Sequence, residues 1–130
     1  MLSRYIKLIS FLLVFFFCST LYAEDILIIH QGYGNTAAKH KNRLENAGHT
    51  VTMQNTSSSY SYTAANYDQV YDIRYSYTSY STADTDRFKT VLSNGGTVYL
   101  VGENGSFDSR NDAIVSFIRD VTGDNNIAHS

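Results

Sequence analysis

Cysteine is almost missing from this chain: one residue in 130, Cys18, and it lies in an apolar run near the N-terminus. The remainder must hold together by packing rather than by disulfides, and thiolate zinc sites and cysteine nucleophiles are excluded. An excess of basic charge is missing too. Lys and Arg total 10 against 12 Asp and Glu, and the charges are interspersed. That balance argues against nucleic acid or an anionic membrane as a partner. Metal-ligand spacing is also absent, since His30, His40 and His49 form no such pattern; no metal and no other cofactor is expected.

The N-terminus has a strong pattern of its own. Arg4 and Lys7 precede a predominantly apolar run from Leu8 to Cys18, then Ser19, Thr20, Leu21, Tyr22 and Ala23 lead to the acidic pair Glu24 and Asp25. This reads as a secretory signal with Ala23 at the cleavage position. Leu8 to Ala23 is 16 residues, short of the roughly 20 that span a bilayer. Phe17 stands where lipoprotein signals carry a small residue before the cysteine. The expectation is therefore an exported protein without a stable membrane span: signal peptide 1–23, then one α/β domain, 24–130. Cleavage leaves 107 residues carrying 8 basic and 12 acidic side chains, a net charge of −4, enough for one modest core.

Periodicity predicts the elements. Ile26 to Ile29 is a continuous, largely β-branched run, as in a strand buried on both faces. A turn from His30 to Asn35 leads into a helix over Thr36 to Ala47, with Ala37, Leu44 and Ala47 facing inward and Gly48 at the cap. Thr50 to Gln54 is a second strand, Asn55 to Asn66 a polar loop, and Gln69 to Tyr75 a third strand. Ser81 and Asp84 form a capping-box pair before a helix carrying Phe88, Val91 and Leu92. Thr97 to Val101 is the fourth strand. A second cap-like pair, Ser109 and Asp112, opens a helix with Ala113, Ile114, Phe117, Ile118 and Val121 as its stripe, closed by Gly123. The order β-α-β-β-α-β-α predicts a three-layer α/β fold: a mainly parallel four-stranded sheet, helices on both faces, flavodoxin-like.

The segments ILIIHQGYGN, NYDQVYDIR, SNGGTVYLVGENGSF and SRNDAIVSFIRDVTG, which together cover most of Asp25 to Gly123, resemble the class I glutamine amidotransferase-like superfamily, in its exported, cysteine-lacking branch. The resemblance implies the same fold. Its enzymes carry a nucleophile on a tight G-x-C-x-G turn after a central strand; the comparable turn here is Gly102, Glu103, Asn104, Gly105, without thiol or hydroxyl. The amidotransferase reaction is therefore not expected. Members of the superfamily continue with further strands, which makes a truncated or minimal version the expectation for this chain.

Several residues remain as candidate sites. Gly32, Gly34 and Ala37 match G-x-G-x-x-A between a strand and a helix. Gln54 and Asn55 nevertheless stand where an acidic ribose ligand belongs, and a plain tight turn uses glycine in the same way. Gly102, Glu103, Asn104, Arg110 and Asn111 gather at the C-terminal end of the fourth strand, the edge where open α/β sheets bind ligands; the alternative is that Arg110 pairs with a neighbouring carboxylate. Asp68, Asp72 and Arg74 alternate along the third strand, where one of them can form a buried ion pair with a helix residue. Seven tyrosines between Tyr60 and Tyr80, Tyr77 and Tyr80 among them, offer contact surface or core packing, and Tyr33 lies in the first turn. No reaction can be named from this set. A non-catalytic binding or interaction domain for an exported ligand or protein is the expected function; a hydrolase using Glu103 or His30, or a vestigial fragment, are the alternatives. TVYLV, uncharged and free of proline, further suggests a homodimer or partner strand along Thr97 to Val101.

Overall fold

The computed structural model describes residues 22–32, 34–56, 61–74, 79–102 and 105–129. The expected signal sequence up to Leu21 and the candidates Tyr33, Tyr77, Glu103 and Asn104 lie outside the described residues.

Four strands form the sheet: β1 (Asp25–His30), β2 (Thr50–Asn55), β3 (Gln69–Asp72) and β4 (Thr97–Leu100). Their order is β2-β1-β3-β4 and every pairing is parallel. Three helices complete the flavodoxin-like α/β fold: α1 (Gly34–Asn46), α2 (Thr82–Ser93) and α3 (Asp108–Thr122). The centre of the sheet falls on the most apolar strand. Ile26, Leu27, Ile28 and Ile29 are all 0% exposed, each contributing about 1.5–3 kcal/mol relative to an exposed position.

Because strand side chains alternate, β1 feeds two cores. Ile26 and Ile28 pack with Ala37 of α1 and Val51 of β2 on one face. Leu27 and Ile29 pack with Val70, Phe88, Val91 and Phe117 on the other, under α2 and α3. Lys41 ties α1 to the sheet by donating to the Val51 carbonyl at 2.8 Å. On the α1 face the β3–β4 half carries Tyr71 and Tyr99, whose rings lie 5.1 Å apart. Tyr99 is 49% exposed there, on the edge strand.

Several expected boundaries move. Helix α1 starts two residues early, at Gly34, and Ala47 lies beyond its end and is exposed. β3 stops at Asp72 rather than Tyr75. The polar loop before it contains one 3₁₀ turn, Ala64–Asn66, whose Ala64 enters the core. The capping box on α2 is present as expected: Ser81 accepts from the Asp84 N–H and Asp84 accepts from Ser81. The second expected cap is not used. Helix α3 begins after Phe107 without a side-chain cap, and Asp112 instead pairs with His129 at 2.9 Å. Its buried face is Arg110, Asn111, Ile114, Val115 and Phe117, while Val121 is exposed. Gly123, at φ 73, ends the helix in the left-handed region. Gly96 before β4 is needed for lack of room, since a Cβ there would lie 2.5 Å from the Asp68 carbonyl oxygen.

Candidate functional site at the C-terminal edge of the sheet

Asp72, the last residue of β3, shares the α2–α3 face with Val70 and is 0% exposed. An isolated carboxylate there would be prohibitively costly. Arg74 folds back on it, its Nε donating to both oxygens at 2.9 and 3.0 Å. From α3, Arg110 reaches the same carboxylate at 3.1 Å. Asp84, in the first turn of α2, lies 3.6 Å from Arg74. Two cations and two anions thus compensate one another in the interior, which is the condition for burying such groups at all.

The Tyr80 ring closes the cluster. Its centroid lies 4.2 Å from the Arg110 guanidinium carbon and 5.7 Å from that of Arg74, and it meets Phe88 edge-on at 5.3 Å. Burial, reinforced by the charge of Asp72, pushes the Tyr80 phenol well above the usual tyrosine range, against the opposing pull of Arg110 and Arg74. Neither the Tyr80 hydroxyl nor Arg110 Nε has a hydrogen-bond partner among the described residues.

On the opposite face the edge is different. Chain connections run from β1 through α1 to β2 on one side, and from β3 through α2 to β4 on the other. The crevice outside the ends of β1 and β3 is therefore the topological switch point, where open α/β sheets take ligands. His30 ends β1 at this crevice, in phase with Ile26 and Ile28 and so on the α1 face. Its carbonyl accepts the Thr56 N–H at 2.9 Å. Its imidazole is 7% exposed, and Nδ1 has no partner among the described residues. Leaving such a group unsatisfied costs about 1–3 kcal/mol. Gly32, at φ 76, turns the chain into α1, whose first turn carries no acidic residue.

The expected site residues consequently separate. Arg110 is 2% exposed and holds Asp72, so it belongs to the interior ion cluster. Asn111 is buried beside it, near exposed Gly102. Tyr80 packs under the same cluster and lines a cavity of about 420 Å³ between α2 and α3, together with Thr85, Ser116 and Asp120. His30 and Arg110 sit on opposite faces and share no hydrogen bond. Asp84 escaped sequence reasoning as an ion-pair member because its capping role alone explained its position. Tyr62, Tyr67 and Tyr80 pack against one core and Tyr71 against the other. Among the described residues, no cluster of His, Cys, Asp and Glu could hold a metal, and no helix is long and apolar enough to cross a membrane. The chain matches no protein-family model, no curated protein and no solved structure.

Proposed function

We propose that this chain is an exported, non-catalytic binding domain that takes its ligand at the switch-point crevice between the ends of β1 and β3. The observation that carries this reading is the separation of polar groups at that edge. The ionisable side chains beneath it, Asp72, Arg74, Asp84 and Arg110, are engaged with one another on the α2–α3 face. His30 stands apart on the α1 face with an unsatisfied Nδ1. A charge-compensated cluster on one face and an unsatisfied imidazole nitrogen on the other, both at the end of the sheet where open α/β folds take ligands, suit recognition of a polar ligand. The hydrolase alternative uses Glu103 or His30; Glu103 lies outside the described residues, and His30 is on the opposite face of the sheet from Arg110.

The strand order and the four sequence segments that resemble the amidotransferase-like superfamily support placing the chain with its cysteine-lacking, exported branch, and the N-terminal pattern supports export. The edge position of β4 and the exposure of Tyr99 support a second surface, for strand pairing with another copy. The test is a glycan and peptide array read against the purified chain, followed by a thermal-shift titration of each hit. The expected result is a ligand that raises Tm and is recovered chemically unchanged. A hit that is converted, or an array without hits, overturns the proposal.

A further inference from the structure

The geometry points to Tyr71 and Tyr99 as a site of oxidative modification, where a one-electron oxidant joins the two rings by a carbon–carbon bond and so staples the edge strand β4 to β3. Nothing about it depends on what the crevice binds. Composition narrows where oxidation can settle. The chain has no Trp, its one Cys is Cys18 in the N-terminal apolar run, and 11 residues are Tyr. Among side chains that give up a single electron readily, tyrosine is therefore the main one left beyond Cys18. Two observations then select one pair.

The first is register. Tyr71 and Tyr99 stand directly opposite each other on the parallel strands β3 and β4, so both side chains project from the α1 face. Their ring centroids are 5.1 Å apart with the planes inclined at 33°, within the contact range of an aromatic pair. Tyr62 and Tyr67, by contrast, lie at 6.1 Å and nearly edge-on at 71°, packed against the core on the other face. The second is access. Helix α1 packs over β1 and β2, and α2 and α3 lie on the opposite face. Tyr99 on the edge strand is consequently 49% exposed, with Tyr71 half-buried beside it. An oxidant reaches Tyr99 first. Each phenol gives up a proton and an electron, leaving a phenoxyl radical with spin on the ring carbons ortho to oxygen. The Tyr99 radical passes to Tyr71 across the ring contact, and Tyr99 is then oxidised again. The two radicals pair to form the C–C bond, and the hydrogen on each joined carbon moves to the oxygen, restoring both phenols. The two electrons and two protons released reduce one hydrogen peroxide to two waters, its O–O bond breaking, with a haem peroxidase carrying the oxidising equivalents. Because the rings are already held together, coupling within one chain outpaces coupling between dilute chains. The bond closes a loop containing the whole of α2, restricting the unfolded chain as a disulfide does.

The experiment treats the chain at low micromolar concentration with hydrogen peroxide and a haem peroxidase, follows dityrosine fluorescence, and maps tryptic peptides by mass spectrometry. Peptide 90–110 contains Tyr99 as its only tyrosine, and peptide 44–74 contains Tyr71. The expected product is a monomer lighter by two hydrogens, in which these peptides are joined through Tyr71 and Tyr99, with a yield unchanged on dilution. Its Tm is expected to exceed that of the untreated chain. Tyr71→Phe and Tyr99→Phe keep the rings and remove the hydroxyls, and each is expected to lose the joined product while circular dichroism shows a folded chain. Should one of them misfold, the linkage mapped in the parent chain and the other variant decide. Linkage to another tyrosine of 44–74, a yield that falls on dilution, a product retained in either variant, or no joined peptides overturns the inference. Covalent dimers joined through Tyr99 of two copies overturn it too, while supporting the pairing of copies along β4.

Discussion

Replacing Asp72 by Asn keeps the side-chain volume and removes the charge that two arginines share. Asp72 is wholly buried, and both Arg74 and Arg110 donate to it. Removing one partner of a buried pair costs about 3–5 kcal/mol, chiefly because the other charge is left without compensation. Here Asp84 stays near Arg74 at 3.6 Å, and an Asn oxygen still accepts one hydrogen bond, so the low end, about 3 kcal/mol, is expected. Against a typical total of about 5–15 kcal/mol, that is a large share, equivalent to roughly 12–24 °C in Tm for a domain of about this size. Urea denaturation followed by far-UV circular dichroism measures it, with the m-value unchanged. Combining Asp72→Asn with Arg110→Met removes the stranded cation, so the double variant should cost less than the sum of the singles by at least about 0.5 kcal/mol. A loss below about 1 kcal/mol for Asp72→Asn, or strict additivity in the double variant, would refute the view that this cluster is the interior electrostatic support of the edge.

Three other outcomes follow from the same geometry. Tyr80→Phe removes a buried hydroxyl without a partner among the described residues, so at pH 7 it should leave stability unchanged or raise it by up to about 1–3 kcal/mol. Because burial raises the Tyr80 phenol in the folded chain, its stabilising contribution is complete below the unfolded value near pH 10 and falls as pH rises above that. Urea midpoints at pH 7 and pH 11 should thus show a shallower alkaline loss in Tyr80→Phe than in the parent, and equal losses would count against it. Gly96→Ala drives a Cβ to 2.5 Å from the Asp68 carbonyl and 2.8 Å from Val91 Cγ1, and should cost about 1–3 kcal/mol in the same assay; a neutral result contradicts the packing. At β4, sedimentation at high micromolar concentration should show self-association with slowed amide exchange over Thr97 to Val101. A clean monomer with fast exchange there removes the pairing surface.

The core strand and the parallel pairing were readable because the relevant signals are local. An apolar β-branched run marks β1, and the crossovers between short strands dictate parallel pairing. Ser81 and Asp84 were legible as a cap for the same reason, since three residues separate the two partners. The pair Ser109 and Asp112 has identical spacing, yet Asp112 is drawn to His129, 17 residues away, and no local rule weighs that competitor. Distance in sequence also hid the details of the ion cluster. The alternation of Asp72 and Arg74 signalled a buried pair with a helix, but that Arg110, 38 residues on, would supply it depended on how α3 docks. Val121 was assigned to the inner stripe by spacing alone, whereas the helix meets the core through Ile114, Val115 and Phe117 and leaves its last turn exposed. The separation of His30 from Arg110 needed the face assignment of each strand residue, which became definite only with the register of β1 against β3.

The central claim is that ligand is held, and not transformed, at the switch-point crevice on the α1 face. Amide shift mapping of the strongest array ligand, with the ligand's own spectrum recorded over the same hours, addresses it most directly. The account predicts perturbations centred on His30, Gly32, Asn35 and Thr36 and a ligand spectrum that does not change. Perturbations confined to Glu24, Asp68, Gly95 and Gly96, which line the polar groove at the opposite end of the sheet, or the appearance of product signals, would contradict it.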